Sequence, residues 1–454
     1  MDGSCSKGDK MTNLNTVAFK TLGCKVNDYE TDILTEIFEN ANYKVIDFQK
    51  QSDIYVINTC TVTNLSAKKS RQMIRRAKRR NLDSLVIVVG CYAQQEPKLL
   101  LEMDEIDLII GNNNKNKILE YIEDYDGKRK EKIIDISKQD KFEDYILEKT
   151  LDKTRAFIKI QDGCNEFCTY CIIPYVRGRI RSRKLDSVIK EVKKLRDNGY
   201  KEIVFTGIHV TSYGKDLDFK VDLIDLLNEV NSIKGIKRLR LSSLEPTFLT
   251  EKNIKRLSRI SKLVNHFHLS LQSGSDSVLK RMNRNYKTND YLKVVKNIRK
   301  HFNNPSITTD IIVGFPGETK KEFNETVDFV KEIKFSQVHV FRYSKRDGTK
   351  AAKMKNQVNG NISSERSKIL RDLTKELEKE YIKENLLTSK KVLFETFDKE
   401  NKIVEGLTKN YLRVYVKSDK DLSNKLIDVH LDFYNNNKIF GSLKGGKDEW
   451  LYFL

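Results

Sequence analysis

The chain has no apolar run long enough to cross a bilayer: its longest, such as residues 85–89, fall far short of the roughly 20 residues a spanning helix needs. Its start, Met1-Asp2-Gly3-Ser4-Cys5-Ser6-Lys7, lacks the apolar core of a secretory signal. Membrane and exported proteins are thereby set aside, and a cytoplasmic protein is expected. Acidic residues are in deficit, with Asp+Glu 64 against Lys+Arg 84 and a formal charge of +20. Such a field favours polyanions, nucleic acid above all. No internal repeat is evident. The 7 cysteines are an odd number in a long chain without an export signal, which points to metal binding or catalysis over disulfides.

Three of these cysteines crowd into one loop, Cys164-Asn165-Glu166-Phe167-Cys168-Thr169-Tyr170-Cys171. A CxxxCxxC loop can hold three irons of a 4Fe-4S cluster, which is normally held by four cysteines. No fourth cysteine lies nearby, so one iron is left open for an exchangeable ligand. A zinc knuckle is the alternative, but it needs a fourth Cys or His, and no histidine falls between Cys171 and His209. The pattern resembles the radical S-adenosylmethionine (SAM) enzymes, in which the amino and carboxylate groups of SAM bind the open iron.

At about 100 to 200 residues per domain, 454 residues suggest two to four domains. From residue 16 short apolar runs (17–19, 54–57, 85–89) alternate with amphipathic segments, the mark of a doubly wound parallel α/β sheet. Cys24, Cys60 and Cys91 each follow one of these strands, at the carboxyl edge where open α/β sheets bind ligands. Three cysteines distant in sequence would then converge on a second cluster; three buried cysteines serving as small hydrophobes is the plainer reading.

Six more strand candidates follow, at 156–160, 202–206, 238–242, 267–271, 308–313 and 337–341, separated by helical stretches. They predict a partial (β/α)6 barrel with its chemistry at the strands' carboxyl ends. The loop Gly314-Phe315-Pro316-Gly317-Glu318 follows the fifth, where glycines permit close approach to a ligand. After a charged helix at 364–384, β-type runs at 392–395, 412–416, 426–431 and 438–440 predict a small antiparallel barrel. The expected divisions are a disordered tail at 1–15 holding Cys5, an α/β domain at 16–127, a linker with a helix or two at 128–153, the barrel at 154–384 and the β domain at 385–454.

Basic residues cluster twice. Lys68, Lys69, Arg71, Arg75, Arg76, Lys78, Arg79 and Arg80 share one expected helix, and no acid occurs from Ser66 to Asn81. Arg177, Arg179, Arg181 and Arg183 alternate, which in an extended segment puts all four on one face beside the cysteine loop. Both sets are expected to meet RNA phosphates, the bland alternative for the helix being a solvated charged surface. Arg413, with Lys390, Lys391, Lys409 and Lys417, is expected to add a second grip from the C-terminal barrel.

Four stretches together resemble the methylthiotransferases: Thr21-Leu22-Gly23-Cys24-Lys25-Val26-Asn27 with Tyr29-Glu30-Thr31, Asn58-Thr59-Cys60-Thr61-Val62-Thr63, the CxxxCxxC loop running into Arg177-Gly178-Arg179, and Gln272-Ser273-Gly274-Ser275. The resemblance covers nearly everything from Thr16 onward. It implies an N-terminal cluster domain, a radical SAM barrel and a C-terminal TRAM domain that grips RNA. Leu22 to Asn27 and Gly207-Ile208-His209-Val210 are similar to the branch acting on N(6)-threonylcarbamoyladenosine in tRNA, often called the MtaB type. The branch acting on isopentenyladenosine shows a Gln-Asn pair in place of Ile208-His209 and a proline in place of Ser270.

The C–H bond at carbon 2 of adenine is too weakly acidic for a side-chain base, so the hard step falls to the cofactor. The resemblance implies that the cluster on Cys164, Cys168 and Cys171 cleaves SAM to a 5'-deoxyadenosyl radical. The cluster on Cys24, Cys60 and Cys91 would present a sulfur, methylated by a second SAM. It further implies that Tyr170 packs near the SAM adenine, with simple core packing as the alternative. Thr206, Gly207 and Ile208 would meet its methionine end, and Gly314 to Gly317 would lie by the adenine. Arg177 or Arg179 is the candidate for the substrate's carboxylate. The implied partners are a tRNA anticodon stem-loop and a flavodoxin-like reductase as electron donor, with one copy of the chain. Rival readings are the same chemistry on isopentenyladenosine or a ribosomal-protein side chain and, from another class, a non-catalytic metal-stabilised RNA-binding protein.

Overall fold

The computed structural model describes residues 14–150 and 154–443. Cys5 and the ends of the expected tail, linker and C-terminal unit lie outside these residues. Among the described residues no helix is long and apolar enough to cross a membrane.

The first domain is built on a six-stranded parallel sheet of β1 (Thr16–Thr21), β2 (Lys44–Ile46), β3 (Ile54–Thr59), β4 (Leu85–Gly90), β5 (Leu108–Ile110) and β6 (Lys130–Lys132), in the order β2-β1-β3-β4-β5-β6. β3 and β4 are buried at every residue, as central parallel strands covered on both faces must be. Helix α1 (Lys25–Asn40) covers one face with Leu34 and Phe38. Helix α2 (Asn64–Arg80) covers the other. Thr63 caps it by accepting the Ser66 N–H at 3.1 Å. Its buried stripe is Ala67, Ser70, Ile74 and Ala77, spaced at helical period. That leaves Lys68, Lys69, Arg75, Arg76 and Arg79 exposed on the far side.

The expected linker gives way in part. β6 pairs with β5 as the sheet's edge, so the first domain extends past residue 127. Its charged Lys-Glu-Lys sequence suits an edge strand and shows no apolar pattern. The remainder holds one 3-10 turn, Ile136–Lys138, where a helix or two was expected.

Six strands form the incomplete barrel: β7 (Arg155–Asp162), β9 (Glu202–Gly207) and β10 (Arg238–Leu241) in one parallel run, β11 (His266–His268), β12 (Ser306–Val313) and β13 (Gln337–Arg342) in another. Bridges such as Leu244 to Leu269 join the two runs. The short β8 (Arg181–Ser182) pairs antiparallel with the end of β7. Ile158, Ile160, Ile203, Phe205, Leu239, Phe267, Ile311 and Val338 point outward into the core beneath the helices. By the period of 2, Phe157, Arg240, His266, His268, Thr308, Asp310, His339 and Phe341 face the lumen.

The C-terminal unit is a closed barrel of β14 (Ser389–Asp398), β15 (Ile403–Thr408), β16 (Arg413–Lys417), β17 (Leu426–Asn435) and β18 (Lys438–Leu443). One pair, β16 with β18, is parallel, so the barrel is not wholly antiparallel as expected. The barrel docks where β7 and β10 begin: Arg238 donates to the carbonyls of Leu407 at 2.7 Å and Lys391 at 2.6 Å, and Arg155 pairs with Glu395 at 2.7 Å. The cysteine loop leaves the opposite end of β7.

Candidate active site

Each N-terminal cysteine sits where a strand of the first sheet ends. Cys24 precedes α1, Cys60 follows β3, and Cys91 opens the short helix α3 (Cys91–Gln95). β1 and β3 are neighbours at the point where the strand order reverses, the place a doubly wound sheet offers a ligand. Gly23 holds a left-handed φ of 115°, and a Cβ there would stand 2.8 Å from Cys60 Cβ and 3.1 Å from Cys60 Sγ. Only glycine lets these two cysteine-bearing turns close on one another.

The second triad leaves β7 through Gly163. Burial pushes the thiols of Cys60 and Cys164 up to about 11 and that of Cys171 up to about 12, the neighbouring thiols Cys91 and Cys168 adding to the effect at Cys60 and Cys171. Such thiols become ligands only when a metal takes up the thiolate charge. Each triad also has a guanidinium donating to one of its sulfurs: Arg177 Nε to Cys91 Sγ at 3.3 Å, and Arg284 Nη1 to Cys168 Sγ at 3.2 Å. Asn112 Nδ2 adds a contact to Cys91 Sγ at 3.4 Å. Among the described residues no three His, Cys, Asp or Glu are arranged around a single metal ion. Three thiols with a guanidinium N–H aimed at one sulfur, and no fourth cysteine among the described residues, fit a 4Fe-4S cluster with one open iron, at both places.

Arg177 ends the helix Ile173–Arg177 and is fully buried. Nη1 donates to Glu30 Oε1 at 2.8 Å and Asp162 Oδ2 at 3.2 Å, Nη2 to Asn27 Oδ1 at 2.7 Å and Glu30 Oε2 at 3.2 Å, and Nε to Cys91. All five guanidinium protons are spent, so Arg177 is neither a phosphate contact nor the carboxylate's partner. Lys159 and Lys115 complete the network on Glu30. Burial raises the Glu30 carboxyl, but Arg177, Lys115 and Lys159 outweigh it and hold the group well below its ordinary range.

Arg181 and Arg183 are buried as well. Arg183 pairs with Glu191 and with Asp144 at 2.6 Å. Four alternating arginines on one solvent face was therefore the wrong reading. The segment is a helix end followed by a paired strand, and only Arg179 is exposed, with its guanidinium 4.6 Å from the Phe167 ring centre. Phe167 in turn meets Tyr175 edge-on at 5.7 Å.

A cleft of about 250 Å³ opens beside Cys171 and the turn after Cys60. Val62 and Thr63, just after Cys60, line one side; Tyr170, Cys171, Ile172 and Ile173 line another; Gln272, Asp310, Ile312 and Phe341 form its barrel wall. Tyr170 also packs against Val278, Met282, Phe315 and Ala351. It is therefore both core and wall. Cavities of about 190 and 320 Å³ lie by Ser306 and Ser336, where strands begin, away from the cysteines. Gly207 backs onto the carbonyl of Gln161, 2.8 Å from where its Cβ would stand. The close approach required of Gly314 is to Ser363, which a Cβ would strike, and so to a helix rather than a ligand. Beside the second triad, His209 Nδ1 meets Ser212 Oγ at 2.6 Å and Cys164 Sγ at 3.9 Å.

Several site residues escaped the sequence reading. Glu30 stood within the Tyr29-Glu30-Thr31 stretch and Asn112 at a strand exit, both available signals. Arg284 and Arg346 had none. Arg346 reaches from beyond β13 to Thr61, to Asn64 and to Gln95 Oε1 at 3.1 Å, fastening the Cys60 turn to the barrel.

A radical SAM superfamily model matches residues 158–330, and the model described as uncharacterized protein family UPF0004 matches residues 16–111. The chain is 45% identical over 422 residues to the threonylcarbamoyladenosine tRNA methylthiotransferase MtaB of Bacillus subtilis (strain 168), covering 92% of this chain and 93% of that one. It is 39% identical to the protein of the same name from Aquifex aeolicus (strain VF5), covering 91% and 99%. It is 38% identical to the tRNA-2-methylthio-N(6)-dimethylallyladenosine synthase of Clostridium tetani (strain Massachusetts / E88), covering 92% and 93%. Among solved structures, the radical SAM methyltransferase TsrM from Kitasatospora setae, with tryptophan and a SAM analogue bound, superposes with a TM-score of 0.55 at 15% identity, over 72% of this chain and 73% of that one. That likeness is one of fold.

Proposed function

This chain belongs to the tRNA methylthiotransferases of the radical SAM superfamily, and from that premise we infer that it converts N(6)-threonylcarbamoyladenosine in tRNA to its 2-methylthio derivative. The observation that carries the reading is a cleft bounded on one side by the turn after Cys60 and on another by Cys171 and its neighbours. A base placed there would lie against Cys171 and against the turn that carries Cys60.

When bound, the two 4Fe-4S clusters and SAM supply the radical and sulfur chemistry. The chain's own residues do the rest. Cys24, Cys60 and Cys91 would hold one cluster, Cys164, Cys168 and Cys171 the other. Arg177 and Arg284 aim N–H groups at a ligand sulfur in each, which steadies the thiolate and tunes the cluster. Phe341, 46% exposed, and Val62, 49% exposed, offer apolar surface within the cleft, of the kind on which unstacked RNA bases settle. Phe167, Tyr175 and Arg179 supply aromatic and guanidinium faces beside the cysteine loop. α2 begins at the cleft with its cap Thr63 and carries Arg75, Arg76, Arg79 and Arg80 along its outer side, placed for phosphates. Arg413, exposed on the C-terminal barrel and paired with Glu405 at 2.6 Å through one nitrogen, offers its other donors to phosphate. Thr206, Gly207, Ile208 and Gly317 stay as SAM neighbours on the resemblance alone. An external electron donor and one copy of the chain complete the reading.

The branch is tested with anticodon stem-loops bearing threonylcarbamoyladenosine or isopentenyladenosine, read by nucleoside mass spectrometry. A site built to bond polar groups rejects analogues lacking them by as much as about 10⁴ to 10⁵. Product from the threonylcarbamoyl substrate alone is expected. Comparable turnover of the isopentenyl substrate would overturn the branch and leave the chemistry standing.

A further inference from the structure

Behind the cleft the barrel lumen is polar and charged, and one of its cations has no counterion. Lys25, the residue after Cys24, turns its side chain away from the first sheet into the barrel, with Nζ 5.6 Å from the centre of the Phe157 ring. It is half-buried, and the charged and titratable groups around it are Tyr411, Glu202, Arg240 and Arg155. Among the described residues it makes no ion pair. The contrast with Lys115 and Lys159 is direct, since each of those pairs with Glu30.

The groups around Lys25 are also short of partners. Arg240 is 1% exposed and gives Nε to Glu202 at 2.6 Å, while its Nη1 and Nη2 have no hydrogen-bond acceptor. His266 stacks on Tyr411 at 4.2 Å and leaves Nδ1 unbonded. Buried donors left without acceptors are costly, and those of Arg240 lie beside an unpaired ammonium. The arrangement asks for an anion.

Toward the cleft the lumen changes character. Asp310 belongs to the cleft wall, and His268 stands beside it with Nε2 at 3.4 Å from Oδ2 while Nδ1 meets Thr308 Oγ1 at 2.9 Å. His339 lies across from this pair, its ring 6.1 Å from that of His268. Two residues of strand separate Phe341 from His339, a depth of about 7 Å. Four bonds connect N6 of adenine to the carboxyl carbon of a threonylcarbamoyl arm, a reach of about 5 Å. An arm of that reach entering from the cleft brings its carboxylate up to the layer that Asp310 and His339 share in register, with Lys25 facing it from the deeper end.

We propose that the barrel lumen is the subsite for the N6 arm of the substrate, with Lys25 meeting the carboxylate and the Asp310–His268 pair accepting from the arm's hydroxyl or carbamoyl N–H. Arg240 lies behind Lys25 and adds its charge to the pocket's end. The proposal rests on the threonylcarbamoyl reading and sharpens it, naming Lys25 where the sequence had suggested Arg177 or Arg179.

The test uses the reconstituted full chain and two anticodon stem-loops, one bearing threonylcarbamoyladenosine and one its carboxamide, in which the carboxylate is replaced by a neutral amide of the same shape. Truncating one partner of a buried charge pair costs at least about a thirtyfold loss. The unaltered protein should prefer the acid by that factor in kcat/KM. Lys25→Met should erase the preference by raising KM for the acid, with kcat and the amide little changed, because the contact is remote from carbon 2 and equal in ground and transition states. Lys25→Arg should keep part of it. Equal losses on acid and amide in Lys25→Met, or no preference in the unaltered protein, would overturn the subsite while threonylcarbamoyladenosine remained the substrate. Failure of the unaltered protein on the acid, with turnover of the isopentenyl stem-loop, would instead sink the substrate reading and the subsite with it.

Discussion

Arg177 of the barrel and Glu30 of the first domain face each other at 2.8 Å, both nearly closed to solvent. The pair joins the two cysteine-bearing parts of the chain. Glu30 receives Arg177, Lys115 and Lys159 at once, whereas Asp162 shares Arg177 and Lys159 with it. The charges are therefore unequal in what they leave behind when removed.

Glu30→Gln leaves Lys115 without its carboxylate and Arg177 and Lys159 on Asp162 alone, and a buried charge left without its partner costs about 3 to 5 kcal/mol. Arg177→Met leaves Lys115 and Lys159 to face Glu30 and Asp162, so its loss should be smaller. Thermal unfolding of the two variants beside Arg179→Ala, whose side chain is exposed, checks the ranking. An Arg177→Met protein less stable than Glu30→Gln would show that the sulfur contact to Cys91 outweighs the charge balance.

Each triad should hold its own cluster. Anaerobic reconstitution should give about eight irons per chain. Cys164→Ala/Cys168→Ala/Cys171→Ala should lose about half of them and all SAM cleavage. Cys24→Ala/Cys60→Ala/Cys91→Ala should lose the other half and keep cleavage to 5'-deoxyadenosine without transferring sulfur. Iron analysis with product chromatography reads both, and full iron in either variant would remove its triad from the site.

The cysteines and the strands were legible because their signals are local: a three-thiol spacing, an apolar run, a residue type at a strand exit. The fate of Arg177, Arg181 and Arg183 was not, since a charged side chain spells the same whether solvated or buried, and only the fold supplies Glu30, Asp162 and Glu191. β6 and β15 hid for a related reason. Lys130–Lys132 is charged, and Ile403–Thr408 carries Glu405 and Gly406, so neither shows an uninterrupted run. Lys25 stood inside the very stretch that carries the family resemblance, and its turn into the barrel depends on packing between domains.

Acid should loosen one helix by a known route. Both guanidinium nitrogens of Arg281 bond the Glu322 carboxylate, at 2.8 and 2.9 Å. Those bonds, against burial and with help from Ser277 and the Thr319 N–H, hold its pKa down to about 2. The folded value lies below the unfolded one near 4.3. The stabilisation is thus complete above that unfolded value and disappears as pH falls through about 2. Glu322→Gln should speed hydrogen exchange at the start of Lys320–Ile333 at pH 7, and the gap to the unaltered protein should narrow below pH 4. A gap that is constant with pH would place the effect in the cap geometry alone.

The outer side of α2 is the proposed grip on the RNA backbone. Arg76 and Arg80 both reach Gln49, and Arg75 lies 3.5 Å from Glu105, exposed pairings that are weak in water. These arginines retain donors for phosphate. Each phosphate contact releases counterions and contributes about 0.9 to the slope of log affinity against log salt in duplex-like RNA. Reversing Arg75, Arg76, Arg79 and Arg80 to Glu should therefore weaken tRNA binding and flatten its salt dependence, while SAM cleavage without RNA continues, because the helix touches neither thiol set through these side chains. Binding titrations across a range of salt concentrations measure the slope directly. Were it unchanged, the charges would be serving solubility, and the RNA backbone would have to be gripped from the Arg179 rim or the C-terminal barrel.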